Sequence, residues 1–351
     1  MLGAPDAAYL EQLRIATAKA LREAIGPVND VALLDVPNQR NVGDSLIWAG
    51  ETAYFARLGL RLRYAADLNS YNPESLRRAM PSGVVLLHGG GNFGDLWLGH
   101  QRHREQIVRD LPDYSIVQLP QSIYFQSKDR AALANDVVGA HPNFRLMIRD
   151  KLSIQRAAED LPKVDAYFCH DMAFGWEPPA LVPQVGETPR ILVIAREDKE
   201  KSSNLGGIGD DWIPGSDILK TDWHNSGWDA RRWQVARRVA RGHHSLLRAR
   251  SRGSLPAVDI PNRIVRRVLS TINEINISGA LKLYAPAKVV VADRLHAHVL
   301  AVLLGIDHVV LDNNYRKLSA VYEDYSGHFT SAHYATDIDD ARSLTEELVA
   351  R

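Results

Sequence analysis

Three blocks of the sequence gather side chains able to bind an anion or move a proton. The first is Asn38-Gln39-Arg40-Asn41-Val42-Gly43-Asp44-Ser45. Gly43 permits a tight turn, and Asp44 or Ser45 can cap a helix through a side-chain oxygen, so the plain explanation is a capped strand-to-helix connection. The crowding of Asn38, Gln39, Arg40, Asn41 and Asp44 at a strand's carboxyl end, where α/β sheets bind their ligands, argues for more. Asp44 can serve both as cap and as base.

The second block, His88-Gly89-Gly90-Gly91-Asn92-Phe93-Gly94-Asp95-Leu96-Trp97, directly follows the apolar run Val84-Val85-Leu86-Leu87. Gly89, Gly91 and Gly94 satisfy the dinucleotide pattern G-x-G-x-x-G. That fingerprint belongs in the first strand-helix-strand unit and needs an acid about twenty residues on, at the end of the next strand; here the next strand closes with Pro120-Gln121. No Lys-Ser or Lys-Thr follows the glycines, which excludes a phosphate-binding loop of the Walker type. What the glycines do license is close approach of backbone N–H groups to an oxyanion or a sugar hydroxyl.

The third block, Val289-Val290-Val291-Ala292-Asp293-Arg294-Leu295-His296-Ala297-His298, delivers an arginine and a histidine to the start of a helix. A guanidinium there adds to the helix dipole as a site for phosphate or carboxylate, and His296 can exchange a proton near neutral pH. The competing explanations are an Arg294–Asp293 ion pair and a His298 packed in the core. Helix positions i and i+2 face apart, which argues against a two-histidine metal site. Arg149 and Arg196 follow strands in the same manner. Each could form a surface pair with the acid beside it, Asp150 or Glu197, but three arginines at equivalent strand ends would together hold a small polyanion. The histidines and acids include neither H-E-x-x-H nor an EF-hand loop, so no metal site and no cofactor is expected.

The elements that must position these residues are short β-rich runs alternating with helical patterns, the signature of parallel sheets covered on both faces. Strands are expected at Val31 to Val36, Val84 to His88, Ser115 to Leu119, Arg145 to Arg149, Ala166 to His170, Ile191 to Ala195, Lys288 to Ala292 and His308 to Leu311. Helices are expected near Asp44 to Leu58, Gln101 to Asp110, Lys151 to Glu159, Asp293 to Leu304 and Asp337 to Val349, with a long helical segment before Lys288. A proline-dense stretch at 176–189 reads as a linker. The expected architecture is α/β: two Rossmann-like doubly wound domains, 1–178 and 190–336, facing a central cleft, with a closing helix at 337–351. The stretch Asp198 to Gly227, rich in Gly, Asp, Ser and Trp, reads as a long loop over a site.

Composition narrows the partners. With 42 basic and 42 acidic side chains there is no global field to hold nucleic acid. No apolar run approaches the ~20 residues that span a bilayer, and the lone Cys169 forbids an internal disulfide, so the cytoplasm is expected. One local exception stands out. Arg231 to Arg252 holds eight arginines and no acid around Trp233, Val235, Val239, Leu246 and Leu247. A solvated helix face would look like this, and so would a helix that docks on anionic lipid at the inner face of the cell membrane.

Taken together, the chain resembles the polysaccharide pyruvyl transferase family. The resemblance rests on Asn41-Val42-Gly43-Asp44, on Gly89 to Trp97 with His100-Gln101, on Gln118-Leu119-Pro120-Gln121-Ser122, on Arg149-Asp150 and on Asp293-Arg294-Leu295-His296, in order across roughly Val31 to Lys317. It implies a GT-B-like pair of lobes, and transfer of a pyruvyl unit from phosphoenolpyruvate to a sugar of an exopolysaccharide or cell-wall precursor, usually as a cyclic ketal. The family's arginines and histidine map onto Arg149, Arg294 and His296. On this reading His296 is the acid and Asp44 the base or a ligand of the acceptor. Arg149, Arg294 and Arg196, with Gly90, Gly91 and Asn92, hold the donor, while Asn41, Asp95 and Gln121 meet the acceptor, which could be a lipid-linked oligosaccharide. The Asp198 to Gly227 loop and the arginine-rich stretch have no family counterpart. The competing readings are a nucleotide-sugar glycosyltransferase and a non-catalytic, membrane-associated glycan-binding protein.

Overall fold

A computed structural model describes residues 2–180, 188–196, 204–223, 230–240, 261–312 and 316–351. The apolar runs form two sheets. The first contains β1 (Asp30–Leu34), β2 (Arg61–Ala66), β3 (Val84–Leu87), β4 (Gly90–Gly94), β5 (Ser115–Tyr124), β6 (Phe144–Ile148) and β7 (Ala166–Phe168) in the order β2-β1-β3-β5-β6-β7, with β4 paired to the far half of β5. The second contains β8 (Arg190–Ile194), β9 (Asp217–Thr221), β10 (Ala287–Ala292), β11 (His308–Val310) and β12 (Ala332–Tyr334) in the order β12-β11-β10-β8-β9. Every pairing is parallel. Parallel strands need both faces covered, which is why β3 is buried at all four positions.

The covering helices are α1 (Ala4–Ile25), α2 (Val42–Arg57), α3 (Pro73–Ala79), α4 (Leu98–Asp110), α5 (Lys128–Gly139), α6 (Lys151–Asp160), a helical stretch over 230–240 (α7), α8 (Asn262–Tyr284), α9 (Leu295–Leu304), α10 (Lys317–Asp324) and α11 (Ile338–Ala350). Helix α9 is apolar around its whole circumference and buried from Ala297 to Leu304, as befits a helix enclosed on all sides. It faces α2, and one continuous apolar core runs between the sheets through Leu46, Tyr54, Leu192, Leu300 and Phe329. Helix α1 also spans the two halves: Arg14 donates to Phe174 O and Trp176 O, while Tyr9 donates to Tyr325 O and Asp6 accepts from Thr330.

Both sheets share one winding rule. The chain leaves the first strand for a neighbour on one side and returns on the other, so the order reverses between β1 and β3 and again between β8 and β10. At such reversals the two connections diverge and leave a crevice beyond the carboxyl ends of the strands.

Several details differ from the expectations. The glycine block does not lead straight into a helix but forms β4, whose register on β5 slips by one residue between Gly90 and Phe93, a bulge at Gly91-Asn92. Strand β5 carries Pro120 at its centre, and its register on β6 also slips there, because proline has no N–H to donate. The stretch Asp198 to Gly227 is not wholly loop: it holds β9, an edge strand whose mixed polarity hid it, while 198–203 and 224–227 lie outside the described residues. Parts of two other expected features also lie outside them, 181–187 of the linker and 241–252 of the arginine-rich stretch.

Glycine placement in α2 gives a test of the packing. A Cβ at Gly50 would stand 1.7 Å from Met172 O, whereas one at Gly99 of α4 would meet nothing within 4 Å. Gly50→Ala should lower unfolding free energy by about 3 kcal/mol or more in urea titration. Gly99→Ala should leave it unchanged or raise it by up to about 1 kcal/mol.

Candidate active site

A cavity of about 460 Å³ opens where the carboxyl ends of the two sheets face each other, at both strand-order reversals. From the first sheet, the connection after β1 supplies Gln39, Arg40, Asn41 and Asp44. The cap of α2 is Asn41, whose Oδ1 accepts from Gly43 N, and not Asp44 or Ser45. Asp44 is thereby left to the cavity, its Oδ2 accepting from Asn41 Nδ2 at 2.8 Å and Gln39 Nε2 at 3.0 Å. Ser45 turns inward instead, 2.7 Å from Asn273 Oδ1 of α8, while Asn273 and Asn276 donate to Pro37 O and Gln39 O. Two buried asparagines thus fix this connection in place.

The bulge in β4 aims Gly91 and Asn92 at the same cavity. Its support is a set of buried amides and charges. Gln121 accepts from Asn92 N and donates to His88 O, Arg104 donates to Gln118 and to Asn92 Oδ1, and Glu51 accepts from Gly89 N and contacts His88 Nδ1 at 2.9 Å. A Cβ at Gly91 would lie 2.9 Å from Arg149 Nη2, so any side chain there would push the guanidinium aside. Lys317, at the start of α10, donates to Gly91 O.

Behind Arg149 and His296 lies Asp171, fully buried, with Oδ2 2.6 Å from Arg149 Nη1 and 3.3 Å from His296 Nε2. Burial would raise the pKa of this carboxyl, but His296, Arg149 and the hydrogen bond from Ala173 N hold it well below the usual carboxylate range. Arg149 also donates through Nε to Ser122, so its competing explanation fails: it pairs with Asp171 and not with Asp150, which caps α6. Arg294 likewise pairs with Asp222, at 2.6 and 2.7 Å, and not with Asp293, whose Oδ1 accepts from Arg196 N. His298 is the core residue expected, wedged between His308 and Ser326. His296 presses on the start of α2, where a Cβ at Gly43 would lie 2.7 Å from its Nδ1.

A second acid–imidazole pair stands on the first-sheet wall. Asp35 follows β1 in the left-handed conformation, φ 61°, and meets His100 Nδ1 at 2.9 and 3.0 Å. Burial alone would lower the pKa of this imidazole; Asp35 reverses that and raises it. A non-glycine residue in that conformation is strained, which is common where function dictates geometry.

Of the residues singled out from the sequence, Asn41, Asp44, Gly91, Asn92, Arg149, Arg196, Arg294 and His296 line this one cavity. Three do not. Gly90 lies behind the wall against Ile47, Gln121 is buried beneath β4, and Asp95 accepts from Gln126 N and Ser127 N, holding the turn before α5. Sequence reasoning missed Asp171, Asp222, Trp223 and Lys317, all but the first of which line the cavity. The signal for Asp171 was present: it follows the expected strand Ala166 to His170, just as Arg149 follows its own.

The model of the polysaccharide pyruvyl transferase family matches residues 41–315, a span that holds most of the cavity's lining, including Asn41, Asp44, Arg149, Arg294 and His296. The chain belongs to this family. Its similarity to other family proteins is distant but long. The protein EpsO of Bacillus subtilis (strain 168) is 28% identical over 302 residues, covering 85% of each chain. Pyruvyl transferase 1 of Schizosaccharomyces pombe is 29% identical over 302 residues, 82% of this chain and 67% of that one. In fold, this pyruvyl transferase family member is similar to a solved protein of Klebsiella pneumoniae, with a TM-score of 0.57 at 16% identity, covering 92% of this chain and 98% of that one.

Asp171 sets a pH dependence. A carboxyl whose pKa is depressed on folding contributes stability above its unfolded pKa, about 3.9, and loses it as pH falls towards the folded value. Asp171→Asn should therefore cost about 3 kcal/mol in urea unfolding at pH 7. The gap to the unaltered protein should narrow steadily below about pH 4, and a gap independent of pH would contradict the account.

Proposed function

We propose that the cavity holds phosphoenolpyruvate and transfers its pyruvyl unit to a sugar of an exopolysaccharide or cell-wall glycan precursor, forming a ketal and releasing phosphate. The observation that carries this reading is that Arg149 from the first sheet and Arg196 and Arg294 from the second line one cavity with His296. A donor with a phosphate and a carboxylate on one carbon suits several guanidinium groups better than one. Arg40 and Lys317 add two further cations to the lining.

The chemistry needs a proton for the methylene carbon, a base for the attacking hydroxyl, and positive charge against the departing phosphate. His296 supplies the first, oriented by Asp171. Asp44, held by Gln39 and Asn41, takes the proton of the acceptor hydroxyl as its oxygen bonds to the central carbon. A second hydroxyl of the same sugar then displaces phosphate and gives its proton to His296, left neutral by the first step, which closes the ketal ring. Arg149, Arg196 and Arg294 hold the donor, with Gly91 and Asn92 close to it. Gln121 supports that wall from below, and Asp95 has no part in it. Two facing lobes of GT-B-like form suit a reaction between two separately held substrates, and a donor drawn from central metabolism makes the cytoplasm the place of work.

Two measurements test the proposal. Titration calorimetry should give heat with phosphoenolpyruvate and none with UDP- or GDP-sugars; the reverse would favour a glycosyltransferase. His296→Ala should abolish phosphate release, and the gain of one pyruvyl unit by the acceptor in mass spectrometry, while donor affinity stays within about tenfold. Near-normal turnover would remove His296 from its role.

A further inference from the structure

The overall charge of the chain is zero, yet one part of its surface is strongly one-sided. Helix α7 and the first three turns of α8 lie side by side, and no Asp or Glu occurs in 230–240 or 261–271. Trp233 is the anchor. It is buried against Ile272 and Ile275 of α8, with the guanidinium groups of Arg40 and Arg237 at 4.6 and 5.0 Å from its ring. With Trp233, Ala236 and Ala240 turned inward, helical spacing turns Arg231, Arg232, Val235, Arg238 and Val239 outward, and all five are exposed.

Helix α8 continues the same surface. Arg231, Arg232 and Val235 share a shallow groove with Arg267 and Thr271. One turn earlier on that stripe comes Ile264, beside Arg263, both exposed. Val235 is 58% exposed, Val239 50% and Ile264 45%, so three aliphatic side chains stand out among exposed arginines on one surface. Charge alone would suit nucleic acid equally well. Aliphatic side chains set among the arginines would not, because they gain nothing from a phosphate backbone, whereas the interfacial region of a bilayer takes them up.

We infer that the outer faces of α7 and the start of α8 form a docking surface for an anionic lipid bilayer. The arginines meet lipid phosphates, and Val235, Val239 and Ile264 enter the headgroup boundary. Arg40 ties this surface to the cavity, since it lines the cavity and also stacks on Trp233. A chain seated in this way works with its cleft beside the membrane, where an acceptor carried on a lipid would be presented. No helix among the described residues is long and apolar enough to cross a membrane, so the attachment is peripheral.

The test is flotation of the full chain with vesicles of phosphatidylcholine, with or without phosphatidylglycerol. Binding is expected only when the anionic lipid is present and should weaken as salt is raised. Arg231→Gln, Arg232→Gln and Arg238→Gln combined should lower the partition coefficient at least tenfold, each arginine near an anionic surface contributing about fivefold. Val235→Asp with Val239→Asp should lower it by a similar factor. Equal flotation without anionic lipid, flotation unmoved by either set of substitutions, or retention by duplex DNA with no vesicle binding would each overturn the inference. The readout needs neither donor nor acceptor, so protein that floats without transferring, or transfers without floating, separates this inference from the proposed reaction.

Discussion

An ionised carboxylate buried between an arginine of one sheet and a histidine of the other can persist only while both stay in place. Asp171 has no solvent to replace either partner, and breaking one side of such a buried arrangement leaves an uncompensated charge. That condition fixes more than one residue. It orients the Arg149 guanidinium, which leaves little room for a side chain at position 91, and it sets the His296 ring near the start of α2, which leaves little room for one at position 43. The two glycine-bearing segments and the two strand ends are therefore one mechanical unit, although they are far apart in sequence.

The winding of the sheets explains why these groups converge. Each sheet reverses its strand order once, and the connections beside each reversal carry lining residues: Asn41, Asp44, Gly91 and Asn92 in the first, Arg196 and Arg294 in the second. Behind them stand buried residues that do not line the cavity. Gln118, Gln121, Arg104 and Glu51 satisfy the backbone of an irregular, bulged strand that would otherwise bury unpaired N–H and C=O groups. Pro120 belongs with them, since a proline in a central strand is tolerated only where the register slips.

Much of this was legible in the residues themselves. The apolar runs at Val84 to Leu87 and Val289 to Ala292 could only be buried parallel strands, and an arginine or histidine just after such a run has its position fixed by the fold. What the sequence concealed were partners chosen by three-dimensional proximity. Arg149 and Arg294 each stand beside an acid in sequence, yet each pairs with a distant one, Asp171 and Asp222, because the neighbouring carboxylates are already engaged in capping α6 and in accepting from Arg196 N. Strand β9 was hidden for a related reason. An edge strand has only one ladder to satisfy and one face to cover, so Asp217-Ile218-Leu219-Lys220-Thr221 shows no apolar run to reveal it.

The contact between Gly43 and His296 bears on how substrates enter and leave. Many two-lobed enzymes open and shut about a hinge, with the gap between lobes widest when empty. Here the His296 ring stands so near the start of α2 that a Cβ at Gly43 would lie 2.7 Å from its Nδ1, and an unbroken apolar layer joins α2 to α9 behind it. Swinging the halves apart would wet that layer, and bringing them nearer would collide imidazole with helix. The spacing of the two cavity walls is thus set by the core behind them, and widening or narrowing the cavity would have to disturb that core.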